Sequence, residues 1–242
     1  MSDKTVEILT DKSALVERAR DLILSQLQTA IESRGLFTIA LAGGSTPKPL
    51  YEALSGQSLP WSKIHVFWGD ERYVAATDKD SNQLMAREAW LDRVEIPESN
   101  IHAIDTTSQD PEQDAKKYET RLQHFFGSEQ KFPAFDLILL GMGDDGHTAS
   151  LFPQTEALKV REDLVTVGNK DGQPRITFTI PLINHARCVM FLVAGENKRP
   201  ALKKVFAPQG DELQYPSRSI QPAGKLIWLL DKAAAAELQE QG

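Results

Sequence analysis

The chain has 242 residues, of which 41% are hydrophobic and 25% charged, proportions that suit one large or two small soluble globular domains. A formal net charge of -7 argues against a nucleic-acid or anionic-membrane partner, both of which want a positive surface. It leaves room for one local cationic pocket around a small phosphorylated ligand.

No apolar run approaches the ~20 residues of a membrane span, and the N-terminal stretch has no apolar signal core, so the expected compartment is the cytoplasm. The single cysteine, Cys188, lies in the apolar stretch CVMFLVAG and reads as a small buried hydrophobe. It excludes an intrachain disulfide or a cysteine-based metal site.

In chain order, SALVERARDLILSQLQTAIESRG carries apolar residues at helical steps and stops at Gly35, the pattern of a long amphipathic helix. LFTIALAGG is a short buried strand, and TPKPLYEAL starts a helix with proline in its first turn. IHVFWGDE is the next strand. DSNQLMAREAWL is a helix capped by Asp80 or Ser81, and DPEQDAKKYETRLQHFF another, opening with Asp110 and Pro111. FDLILLG is a third buried strand. DLVTVG, RITFTIPL, RCVMFLVAG and KLIWLLD are strand-like, while ENKRPALKKVFA and KAAAAELQEQG read as helices. Strands alternating with helices predict an α/β fold with a largely parallel open sheet flanked by helices, in a single domain over 1–242.

Four of the apolar strands run into chemically loaded loops: Gly43–Gly44–Ser45–Thr46–Pro47, Gly69–Asp70–Glu71–Arg72, Gly141–Met142–Gly143–Asp144–Asp145–Gly146–His147, and Gly195–Glu196–Asn197–Lys198–Arg199. Ligands of open α/β sheets bind beyond the carboxyl ends of the strands, so parallel strands would bring all four loops to one crevice. In AGGSTPKPL, glycines allow close backbone approach, Ser45 and Thr46 add hydroxyls, and a helix N-terminus adds free N–H groups, which together suit a phosphate. The alternative is a tight turn with a Ser or Thr cap. No Walker loop is present. Arg175, Arg72, Lys198 and Arg199 are candidate cations for that phosphate.

GMGDDG fits the dinucleotide spacing G-x-G-x-x-G. Asp144 and Asp145 would then repel a pyrophosphate, and the loop lies mid-chain without an opening βαβ unit. Chemically, His147 is a candidate proton acceptor near neutral pH, with Asp145 or Asp70 as the carboxylate that fixes its tautomer. The competing reading makes His147 a helix cap or a satisfied core residue. A third ligand at metal-site spacing is missing, no cofactor motif is present, and no G-x-S-x-G elbow appears. His185 could approach the crevice; His65, His102 and His124 are weaker candidates.

LAGGSTPKPLYEAL, FWGDERYV, SNQLMAREAWL, LILLGMGDDGHTASLFP, RITFTIPLIN and FLVAGENKRPAL occur here in the order seen in 6-phosphogluconolactonases of the oxidative pentose phosphate pathway. The chain resembles that family from about Leu41 to about Trp228. A more distant resemblance links the same loops to glucosamine-6-phosphate deaminases and isomerases, which lack GDERYV and TASLFP in this form. The resemblance implies a Rossmann-like sheet of the sugar-phosphate isomerase type. It also implies a carboxylic ester hydrolase that opens 6-phospho-D-glucono-1,5-lactone to 6-phospho-D-gluconate without a cofactor. His147 matches the family's proposed base and Asp145 its partner acid; Asp70 matches a residue that transfers protons in the deaminases. Gly43, Gly44, Ser45 and Thr46 match the phosphate loop, Arg175 and Lys198 its cations, and Arg72 the arginine of the DER signature. The expected partner is a small sugar phosphate lactone, with no nucleic acid or membrane, on a monomer or small homo-oligomer. A deaminase, or a non-catalytic sugar-phosphate sensor, is the competing reading.

Overall fold

The computed structural model describes residues 3–127 and 130–238. Among these residues ten strands and seven α-helices follow one another, beginning with β1 (Asp3–Leu9), α1 (Lys12–Arg34), β2 (Phe37–Leu41), α2 (Lys48–Ser55), β3 (Ile64–Trp68), β4 (Asp70–Arg72), α3 (Asn82–Ala89), β5 (Ile101–His102) and α4 (Pro111–Phe126). The second half continues with β6 (Leu137–Leu140), β7 (Val165–Lys170), β8 (Gln173–Phe178), α5 (Ile180–Asn184), β9 (Cys188–Val193), α6 (Arg199–Phe206), β10 (Lys225–Asp231) and α7 (Lys232–Ala235). Helix boundaries follow local chemistry. Asp11 caps α1 by accepting from the Ala14 amide, and Gly35 ends it in the left-handed region at φ 82°. Leu15, Ala19, Ile23 and Leu27 face the core at four-residue intervals. Ser81, rather than Asp80, caps α3.

Seven strands form one sheet in the order β1-β10-β9-β6-β2-β3-β5, and every pairing in it is parallel. The inner strands β2, β6 and β9 are buried along their whole length, as helices on both faces require. Cys188 opens β9 fully buried, and burial pushes its thiol up to about 11 against the opposing pull of Lys225.

Three expectations need correction. The N-terminal region contributes a strand as well as a helix: β1 pairs with β10 across seven residues at the sheet edge. DLVTVG and RITFTIPL do not join the parallel sheet; β7 and β8 form an antiparallel ribbon to which β4 adds the third strand. β8 also stops at Phe178, because the Thr179 hydroxyl caps α5 by accepting from the Leu182 amide. In the C-terminal segment the α-helix is confined to Lys232–Ala235, and residues from 239 onward lie outside the described ones.

At the other edge, His65 Nδ1 lies 3.2 Å from His102 Nε2 within a cluster that includes Phe67 and Phe125. Burial, then the charges of His65 and Arg121, push the His102 imidazole down to about 4, and burial lowers His65 as well. Both folded values lie below the unfolded one, so the unfolded chain takes up these protons first. The stability they contribute is complete above about pH 6.5 and is lost as pH falls toward 4. His102→Gln is expected to flatten the decline of Tm over that window, measured by thermal melts from pH 7 to 4; melts that superimpose on wild type would contradict this.

Candidate active site

Strand order reverses between β2 and β6: the chain progresses outward to β3 and β5 on one side and to β9 and β10 on the other. A reversal of this kind leaves a crevice at the carboxyl ends of the two central strands. A cleft of about 310 Å³ opens there, and all four strand-end loops line it.

The loop after β2 is closed by Tyr51 of α2, whose hydroxyl donates to the Ala42 carbonyl at 2.7 Å and accepts from the Ala42 amide at 3.1 Å. Gly43 follows, and a Cβ there would fall 1.9 Å from Asn82 Oδ1, so only glycine lets the loop lie against α3. Asn82 in turn donates to the Asp70 carbonyl at 2.9 Å, joining two of the loops. The amides of Gly44, Ser45 and Thr46 donate to no acceptor among the described residues. They precede a helix that has proline in its first turn, an arrangement that can take an anion. Lys12 ties the loop from outside by donating to the Ser45 carbonyl.

In the second loop, neighbouring acids have different work. Glu71 is buried and accepts from the amides of Arg72, Asn82 and Gln83, each at 2.7 Å, and from the Ser81 hydroxyl. It thus caps the start of α3. Burial raises its carboxyl above the ordinary range despite these donors. Asp70 is also buried, yet it lines the cleft and accepts from the Ser150 hydroxyl at 2.7 Å. Ser150 reaches it from a turn in which Ala149 takes the left-handed region at φ 47°.

The third loop brings His147 to the cleft. Its Nδ1 lies 2.6 Å from Asp145 Oδ1, and its amide donates to the same oxygen at 3.0 Å. Because the carboxylate can only accept, the imidazole carries its proton on Nδ1 and presents a lone pair on Nε2. Burial pushes the Asp145 carboxyl up, but the hydrogen bonds from the His147 ring and amide outweigh it and hold the group down to about 2. Of the two carboxylates the sequence left open, Asp145 makes this contact, while Asp70 takes Ser150. The Gly143 amide donates to the His147 carbonyl and the Gly146 amide to the Gly143 carbonyl, so both are engaged within the loop and neither points at a substrate oxygen. The loop is braced from behind by Ser217, whose amide and hydroxyl both donate to the Gly146 carbonyl.

Cations complete the cleft. Arg72 on β4 stands directly opposite Arg175 on β8, a like-charged cross-strand pair. Burial, then the Arg72 charge, lower the Arg175 guanidinium, which makes no ion pair among the described residues. Arg72 donates to the Asp80 carbonyl, and its Nε is buried without a partner among the described residues. Lys198 lines the cleft and is held by Asp144, which also accepts from Asn197 at 2.9 Å.

Gly43, Gly44, Ser45, Thr46, Asp70, Arg72, His147, Arg175 and Lys198 therefore share one cleft, with Asp145 behind His147. Arg199 turns away, donating to the Ala233 carbonyl and pairing with Glu196. His185 stacks on Phe132, outside the cleft lining. Asn82, Ser150, Phe152 and Lys170 went unassigned in the sequence. For Asn82 and Ser150 the only signal was their place inside the motifs SNQLMA and TASLFP; for Lys170 it was a cation in a predicted turn.

A family model described as glucosamine-6-phosphate isomerases/6-phosphogluconolactonase matches residues 10–228. The chain is 66% identical over 236 residues to a 6-phosphogluconolactonase of Nostoc sp., covering 97% of this chain and 98% of that one. It is 63% identical over 235 residues to a 6-phosphogluconolactonase of Synechocystis sp., again covering 97% and 98%. Superposed on 6-phosphogluconolactonase from Trypanosoma cruzi, it gives a TM-score of 0.88 at 31% identity, covering 98% of each chain. With matches over nearly its whole length, the chain belongs to the glucosamine-6-phosphate isomerase/6-phosphogluconolactonase family.

Proposed function

We propose that this chain hydrolyses 6-phospho-D-glucono-1,5-lactone to 6-phospho-D-gluconate, with His147 as the general base. The observation that carries the reading is the Asp145–His147 pair facing the same cleft as an unengaged amide loop and the Arg175 guanidinium. His147 Nε2 takes a proton from water as the water oxygen bonds to the lactone carbonyl carbon. The tetrahedral intermediate then collapses, the bond from that carbon to the ring oxygen breaks, and the imidazolium returns its proton to the departing oxygen. A lactone is an activated ester, so a positioned water and base suffice without a covalent nucleophile. The phosphate is held by the Gly44–Thr46 amides, Arg175 and Lys198, while Arg72 and Asp70 meet the sugar end.

The test is lactone hydrolysis corrected for the spontaneous reaction, run beside an ammonia assay on glucosamine 6-phosphate. Ammonia release at a useful rate, without lactone hydrolysis, would replace this reading by the deaminase one. Arg175→Ala is expected to raise KM by roughly 10- to 100-fold, the worth of one charge-assisted hydrogen bond, with kcat changed far less. An unchanged KM would remove Arg175 from the phosphate site.

A further inference from the structure

Within TASLFP, Phe152 is buried under the cleft, and three groups of the site meet its ring. The His147 imidazole lies 4.6 Å away, centroid to centroid, at 45°. The Arg175 guanidinium carbon is 5.5 Å from the same centroid, and the Lys170 ammonium 5.9 Å.

We propose that Phe152 is a positioning residue that fixes the imidazole of His147 and, with the negative face of its ring, holds Arg175 and Lys170 toward the substrate's anionic group. The inference rests on the hydrolytic reading of the cleft. The Asp145–His147 hydrogen bond fixes Nδ1, but one such bond leaves the ring free to turn about the line joining the two atoms. Asp145 is itself about half exposed, with 47% of its side chain accessible, and cannot clamp the ring alone. Phe152 supplies the second constraint from a buried, already ordered position. Its service to the cations is distinct. A carboxylate beside Arg175 would hold the guanidinium equally well, but it would compete with an incoming phosphate. A ring quadrupole attracts the cation without neutralising it. The contrast stands in the same cleft: Lys198 is held by the Asp144 carboxylate, which an anion must displace.

Two replacements separate the two services. Phe152→Leu removes both the flat surface and the quadrupole, and is expected to lower kcat about tenfold through a loosened base and to raise KM about threefold. A trifluorinated phenylalanine introduced at position 152 keeps the shape of the ring and weakens its negative face. It is expected to raise KM about threefold while leaving kcat within a factor of about two. A purely structural role would not produce this split. A wild-type KM in the fluorinated protein overturns the proposal, as does a folded Phe152→Leu protein with wild-type kcat. Because the fluorinated side chain preserves packing, it remains decisive if the leucine variant fails to fold. Lactone hydrolysis by the unaltered protein tests the underlying reading separately.

Discussion

His147→Gln is expected to lower lactone turnover by roughly 100- to 10,000-fold, the usual contribution of a positioned general base. Glutamine can still donate to Asp145 and fill much of the same space, so the loop keeps its shape while the basic lone pair disappears. Asp145 cannot take over, because even an unperturbed aspartate carboxylate, with a pKa of ~3.9, is a weak proton acceptor at neutral pH. The groups proposed to bind the anion are carried by other segments: the Gly44–Thr46 amides follow β2, and Arg175 stands on the separate ribbon. Binding of inorganic phosphate, measured by calorimetry, should therefore stay within about threefold of wild type, well below the tenfold that 1.4 kcal/mol represents. The variant should lose kcat with little change in KM, the mark of an interaction made in the transition state. Turnover within a few-fold of wild type would remove His147 as the base.

Gly143→Ala should come close to the same loss without touching a chemically active residue. A Cβ at position 143 would fall 2.0 Å from His147 Nδ1, 2.1 Å from its Cε1 and 2.7 Å from Asp145 Oδ1. No real contact is that short, so the imidazole must leave its present position, and its 2.6 Å contact with Asp145 is expected to be lost. Gly143 of GMGDDGH thus makes room for the Asp145–His147 pair, although the motif's spacing imitates a dinucleotide loop. Misplacing a catalytic group by about 1 Å can cost on the order of 100-fold, and a drop in kcat of at least that size is expected. Thermal melts should show a much smaller change, since the clash lies in a loop at the cleft. Wild-type kcat in a folded Gly143→Ala protein would show that the imidazole does not need its present position.

How far the sequence could be read depends on the reach of each interaction. IALA, LILL and CVMFLV announce themselves because strands covered on both faces are continuously apolar. β1, DKTVEIL, carries three charged residues and lies exposed over its first half, so no continuous apolar run marks it as a strand. β4 is three residues long and polar, and only pairing with β8, a hundred residues later, makes it a strand. In the site, the rule that parallel strands gather their loops at one end was enough to place eight candidate side chains or loop residues together, while Arg175 reaches the cleft from the antiparallel ribbon, which that rule does not cover. The pairing of His147 with Asp145 is local and was one of two open options. The Ser150–Asp70 bond spans 80 residues, and the Lys170 and Arg175 charges reach the Phe152 ring from the separate β7–β8 ribbon. Contacts of that reach depend on the completed fold and leave no mark in local spacing.

The edge pairing of β1 with β10 joins residues 3–9 to residues 225–231. Of the strands in this sheet β1 is made first and β10 last, so β1 has no neighbour until β10 follows, with β9 on its other side. The sheet therefore closes like a clasp, with its earliest and latest strands fastening together. Contacts so distant in sequence slow folding. The nascent chain must carry an unpaired edge strand until β10 is made, which the charged side chains of Asp3, Lys4 and Glu7 keep unattractive to other strands in the meantime.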